Sequence, residues 1–214
     1  LALADPGVGD PTAGDDERAA TPWIEGLQLG SLQRARSEAR SMFSAMGHNS
    51  RVVSGHEASE SFLKHADLGN YRILHFAAHA LVDYDHPDRS AVVLARGGED
   101  EDGFLQIREI VDLDLEGRVV ILSACRSASG TLVRGEGTLG LARAFFRAGA
   151  RAVIVPMVND RASCEQALSF TRYAPAGERS YGPTRAVLVE GDDYFDFAGD
   201  QICVIPMIET REAM

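Results

Sequence analysis

Val119 to Gly130 reads Val-Val-Ile-Leu-Ser-Ala-Cys-Arg-Ser-Ala-Ser-Gly. Four apolar, mostly β-branched residues run into a cysteine and then into small polar residues. The pattern predicts a buried strand that delivers Cys125 to a turn at its carboxyl end. An unbroken apolar run asks for cover on both faces, as in a parallel strand of an α/β sheet. In such sheets ligands and chemistry collect beyond the carboxyl ends of the strands. Taken alone, Cys125 is equally well read as a small buried hydrophobe or as a nucleophile.

Working outward, Leu1 to Asp5 is an apolar run closed by Asp5-Pro6-Gly7, a first strand followed by a turn. Residues 7–20 mix Gly, Pro and acids without periodicity and read as a loop. Leu32, Ala35, Ala39, Met42, Phe43 and Met46 recur at helical spacing, with Gly47 as the stop. Arg51 to Val53 and Ile73 to Ala78 are further strands, with a short helix over Glu57 to His65 between them. Val82 to Arg89 reads as a polar loop, and Ala91 to Ala95 and Phe104-Leu105 as a hairpin. After a helix through Glu109 and the Val119 strand come a helix near Thr138 to Ala148, a strand over Ala152 to Val158 and a helix over Ala162 to Tyr173. Late strands follow at Ala186 to Val189 and Ile202 to Ile205. Alternating β and α elements predict a three-layer α/β/α sandwich with a mostly parallel sheet.

Composition narrows the function. The 214 residues carry a net charge of −11, with 32 acids against 21 Lys and Arg, which argues against a nucleic-acid surface and favours cationic partners. No apolar run reaches the roughly 18 residues of a membrane span, and no signal-peptide pattern is present. Three cysteines, at 125, 164 and 203, have neither CxxC spacing nor an even count, so reduced thiols in a cytoplasmic setting are expected. Cys164 and Cys203 read as structural. The first residue is Leu, which suggests a piece of a longer protein.

Two motifs compete with a thiol-based reading. His75 and His79 are spaced i, i+4, but on a strand they stand about 13 Å apart, too far to share a metal. His75 reads as a hydrogen-bonded core histidine. Gly135-Glu-Gly137-Thr-Leu-Gly140 matches GxGxxG and would support a dinucleotide site, yet no strand runs directly into it. Gly135 and Gly137 are better read as shaping a loop. His48, His56, His65 and His86 read as solvated. What survives is His79 with Cys125, 46 positions apart (79 to 125) and at the ends of what should be neighbouring strands. A thiol needs a base to become a thiolate, and a departing amine needs an acid. A caspase-type order, with His about 50 residues before Cys, agrees with that spacing.

Ile73-Leu-His-Phe-Ala-Ala-His79, Leu122-Ser-Ala-Cys125, Gly135-Glu-Gly137, Gly140-Leu-Ala-Arg-Ala-Phe-Phe and Gly149-Ala-Arg-Ala-Val, in that order, resemble a CHAT domain, a caspase-like peptidase module often found after TPR repeats. The likeness runs from Leu1 to about Asp160. It implies a cysteine endopeptidase with Cys125 as nucleophile, His79 as acid and base, and the N–H groups of Ala80 and Cys125 as the oxyanion hole. It further implies Asp5, Ser123 and Glu136 in substrate binding, Asp5 as a pocket for a basic side chain. No metal or organic cofactor is implied. The implied partners are a protein or peptide substrate and an upstream sensor or repeat domain. The chain departs from the family with Ala80 in place of Gly, Ser127-Ala128 in place of Thr-Gly, and a C-terminal section that looks shortened. A catalytically silent scaffold that binds a partner is therefore the alternative. The expected organisation is a peptidase core over residues 1–174 and an atypical section over 175–214 that completes the sheet.

Overall fold

The computed structural model describes residues 1–7, 29–46, 50–83, 86–98, 101–123, 136–155, 158, 160–169, 171–178 and 203–207. Six parallel strands form the main sheet: β1 (Ala2–Pro6), β2 (Val52–Gly55), β3 (Ile73–Ala77), β7 (Val119–Leu122), β8 (Ala152–Val155) and β9 (Cys203–Pro206), in the order β2-β1-β3-β7-β8-β9. The connections lead outward on both sides of the β1/β3 pair, so the order reverses there. The predicted α/β sandwich with a mostly parallel sheet is what the chain forms. The expected strand at Ala186 to Val189 lies outside the described residues.

Side-chain alternation sorts the strands into two faces. Leu3, Leu74, Phe76, Val120, Leu122, Val153 and Val155 point into the main core with Leu63 of α2 (Glu60–His65), Ile110 of α3 (Ile107–Asp112), Leu141 and Phe145 of α4 (Glu136–Arg147), and Ala167 of α5 (Arg161–Ser169). The Phe76 and Phe145 rings meet at 5.2 Å between centroids. The other face carries α1 (Gln33–Met46), whose Ala35 and Ala39 lie on Ala2, Ala4 and Ala77. Small residues on both sides let α1 sit close over β2, β1 and β3.

Cover on that second face is incomplete. Val120 and Leu122 are buried, but Val119 and Ile121 are only half-buried, as is Ile154 of β8. Ile205 of β9 is 43% exposed. The expectation that the Val119 run is sheathed on both faces holds for one face alone, because α1 does not extend over β7 to β9.

A second sheet departs from the sequence reading. Residues His79–Leu81 form β4, which pairs antiparallel with β5 (Ala91–Val93), itself paired with β6 (Phe104–Gln106). The Ile73 strand is expected to end at His79, where a second, unforeseen strand begins. Three residues are too short a run to show an alternation. At the β5–β6 connection Gly103 has φ +82°, and a Cβ there would lie 2.8 Å from the Leu94 carbonyl oxygen, so glycine is required.

Two other expectations are corrected. Gly137 and Gly140 both lie within α4, so Gly137 does not shape a loop. The final predicted helix is shorter, ending at Ser169 instead of Tyr173. Truncating the ring that fills the space between β3 and α4, in Phe145→Ala, should cost about 3–5 kcal/mol of unfolding free energy. Urea denaturation followed by far-UV circular dichroism checks this, and a loss under 1 kcal/mol would show that the Phe76 contact is not central to the core.

Candidate active site at the carboxyl edge of the sheet

The segments that carry the predicted site residues follow neighbouring strands of the main sheet. Strands β3 and β7 pair in register, Phe76 opposite Leu122, and the ladder continues with Ser123 N–H donating to the Phe76 carbonyl at 2.9 Å. His79 and Cys125 each stand three positions beyond that pair in the chain. Asp5 lies near the end of β1, on the other side of β3. Cys125, Ser127, Ala128 and Gly135 lie outside the described residues.

His79 opens β4 and is 2% exposed. Its Nε2 lies 2.7 Å from the Gly30 carbonyl oxygen. A carbonyl only accepts, so Nε2 donates in this bond. Ala80 follows in β4, with its methyl group in the main core. Among the described residues Asp5 is the one non-glycine with positive φ, so Ala80 has a backbone that any L-residue adopts. Where relatives have glycine, this position has no conformational need of it.

Asp5 has φ +46° and is 2% exposed. Its carboxylate accepts from Leu32 N–H at 2.5 Å and Ser31 Oγ at 3.0 Å, and pairs with Arg36 Nε at 2.6 Å. It thus serves the start of α1, accepting the N–H of Leu32 just before the helix and holding Arg36 in its first turn. Ser123 is also committed within the chain. Its hydroxyl donates to Glu38 Oε1 at 2.7 Å and accepts from His75 Nε2 at 3.0 Å. Glu38 Oε1 is also 3.1 Å from the same histidine nitrogen. Serine and acid share one nitrogen, whereas a relay needs the acid on the far one, so this cluster ties α1, β3 and β7 together without activating Ser123. Burial holds the His75 imidazole below its ordinary pKa, with the Glu38 carboxylate opposing. Glu136 is the first residue of α4.

A carboxylate group that sequence reading passed over lies under α2. Lys64 Nζ stands 2.7 Å from Glu60 Oε1, 2.6 Å from Glu101 Oε2 and 3.0 Å from Glu109 Oε1. The three acids are spaced closely enough to hold a cation. The ammonium of Lys64 already fills that role. Glu60 is fully buried and its Oε2 accepts from Gly103 N–H at 2.8 Å, which fastens the second sheet to α2. Burial pushes the Glu60 carboxyl up to about 7, against the pull of Lys64. Lys64 is raised despite its own burial, because three carboxylates surround it, and Glu101 is lowered mainly by its bond to Lys64, again against burial. No local periodicity marks this group, since its members come from three segments joined only by the fold.

The cysteines differ from expectation. Cys164 is half-buried in α5, but Cys203 is exposed on edge strand β9 and is not a core thiol. Among the described residues no helix is long and apolar enough to cross a membrane.

Because Glu60 has its folded-state pKa raised, the stability it contributes is full below 4.5 and is lost as pH rises through about 7. Glu101 has the opposite sign, and its contribution is lost only as pH falls below 4.5. Between pH 5 and pH 8 the native chain should lose about 1–3 kcal/mol relative to Glu60→Gln in urea unfolding, the opposite contribution of His75, whose pKa is lowered, being common to both. Parallel curves for the two proteins would show that Glu60 does not titrate in this window.

Residues 6–184 match the family model described as the CHAT domain. The chain is also 45% identical over 67 residues to a hydroxypyruvate/pyruvate aldolase of Rhizorhabdus wittichii, a stretch covering 31% of this chain and 27% of that enzyme. It is 42% identical over 69 residues to a 4-hydroxy-2-oxo-heptane-1,7-dioate aldolase of Escherichia coli, covering 31% and 26%. The chain thus spans about a quarter of the length of these curated relatives.

Proposed function

The chain belongs to the CHAT-domain family of caspase-like peptidases, and from that premise we propose that it is a cysteine endopeptidase acting through Cys125 and His79. The observation that carries this reading is the β3–β7 register, Phe76 opposite Leu122, which sends the histidine and cysteine segments off the same edge of neighbouring strands. The bond from His79 Nε2 to the Gly30 carbonyl adds support, because it orients the ring.

In this mechanism His79 Nδ1 takes the proton from the Cys125 thiol, and the thiolate attacks the scissile carbonyl carbon. The oxyanion that forms is held by the Ala80 and Cys125 N–H groups, each typically worth a few kcal/mol. Collapse breaks the C–N bond, the amine leaves with the proton from His79, and a thioester remains. Water, deprotonated by the same nitrogen, then hydrolyses the thioester and restores the thiol. No metal or organic cofactor enters. Asp5, Ser123 and Glu136 would contribute to the substrate cleft, and a basic substrate side chain would reach Asp5 by displacing Arg36. The protein would act as one regulated part of a larger cytoplasmic protein, with an upstream sensor domain such as TPR repeats. Similarity over about a quarter of an aldolase carries no argument for aldol chemistry here.

The scaffold reading draws on one feature, the burial of His79 at 2% exposure, which limits access to its ring. Chemistry separates the two. Cys125→Ala should abolish cleavage of a peptide library, and His79→Ala should slow it by about 10²–10⁴-fold. Because Cys203 is exposed, labelling by an electrophilic peptide probe belongs in a Cys203→Ser background. There Cys125 should react well ahead of Cys164. Equal labelling rates, or cleavage that survives Cys125→Ala, would end the peptidase assignment.

A further inference from the structure

The bare part of the sheet opens into a cavity of about 660 Å³ at the amino-terminal edge of the strands, opposite the candidate active site. That volume lies in the range typical of small-molecule sites, roughly 300–1,000 Å³. Its walls are the sheet residues Ile73, Val119 and Ala152 and the last turns of α1, including Met42, Phe43 and Met46. Phe43 and Met46 are 40% and 49% exposed. An apolar concavity of this size needs something to cover it.

The charge at its mouth says what kind of molecule that is. The chain has 11 more acids than bases, yet none of the described residues lining the cavity is Asp or Glu. Arg72 and Arg151 line it instead. They stand immediately before β3 and β8, and the register Ile73–Val119–Ala152 sets them on either side of Arg118, with neighbouring strands about 4.8 Å apart. Arg118 is engaged with backbone, donating to the Gly69 carbonyl at 2.9 Å and to the Glu116 carbonyl. Arg72 and Arg151 are exposed and have no carboxylate partner among the described residues. His75, 1% exposed, also lines the cavity, and its Nδ1 has no hydrogen-bond partner. Unpaired guanidinium groups beside an apolar hollow, with no acid among its described lining residues, fit a carboxylate that carries a hydrocarbon body.

We propose that this cavity is a binding site for an amphiphilic carboxylate of the fatty-acid type, its chain lying between α1 and the sheet and its head group at Arg72 and Arg151. The test uses the whole chain with dodecanoate, dodecyltrimethylammonium and acetate, all below micellar concentration, by calorimetry and by methyl NMR of its five methionines. Dodecanoate should bind saturably at one site, at least tenfold more tightly than the ammonium amphiphile, and shift the Met42 and Met46 methyl signals. Acetate should give no measurable heat. The Arg72→Glu, Arg151→Glu double variant alters two exposed positions and should weaken dodecanoate at least tenfold while keeping the native circular dichroism. Phe43→Asp should weaken it through the chain-binding wall.

Equal affinity for the cationic amphiphile would overturn the proposal. So would dodecanoate shifts confined to Met157, Met207 or Met214, or an unchanged affinity in both variants. Sedimentation showing that the ligand-free chain closes this face by pairing with a second copy would overturn it as well.

Discussion

The parallel pairing of β3 with β7 is the constraint on which the site depends. It aligns Phe76 with Leu122, so two segments 46 positions apart leave the sheet side by side. Main-chain hydrogen bonds alone would tolerate a slip. What prevents one is that Leu74, Phe76, Val120 and Leu122 must all face the core packed by α2, α3 and α4, and a one-residue shift would turn each to the other face. This carboxyl edge is thus held by hydrophobic burial at the centre of the sheet. The Glu38, His75 and Ser123 bonds add a polar tie across α1, β3 and β7 on the opposite face.

The two faces of the sheet are built differently. On the main-core face Leu, Val and Phe side chains meet four helices, and its largest members are wholly buried. On the other, alanines bring α1 close to β1 and β3 but leave the strip from β7 to β9 partly uncovered. An asymmetric sandwich of this kind keeps one side for stability and exposes apolar surface on the other. Lys64 with its three carboxylates performs a third task, clamping the second sheet, and with it β4 and His79, onto α2 through Glu60 and Gly103.

Much of this was legible in the sequence. The Val119 run, the Ile73 run and the helical spacing from Leu32 to Met46 carry strong periodic signals because each buries apolar side chains against the sheet or core, although Phe43 and Met46 at the end of the helix stay exposed. The sheet class and the neighbouring placement of the Ile73 and Val119 strands followed from them, while the CHAT likeness rested on the motifs around His79 and Cys125. Weaker signals failed for identifiable reasons. β4 was missed because three residues show no pattern, and Gly137 was read as loop because glycine normally breaks a helix, although α4 includes it. Cys203 was read as structural from its apolar neighbours, yet β9 exposes alternate side chains, Cys203 among them.

By itself, then, the sequence determined the α/β class, the order of elements and the residue types at the carboxyl edge, since these rest on local periodicity and turn chemistry. Only the tertiary structure decided which polar groups find one another. That Asp5 anchors α1, that Glu60 and Lys64 clamp a second sheet, and that Arg72 and Arg151 flank an apolar cavity all depend on contacts between segments distant in the chain. Burial makes such contacts strong by removing water, and no pattern of spacing along the sequence encodes them.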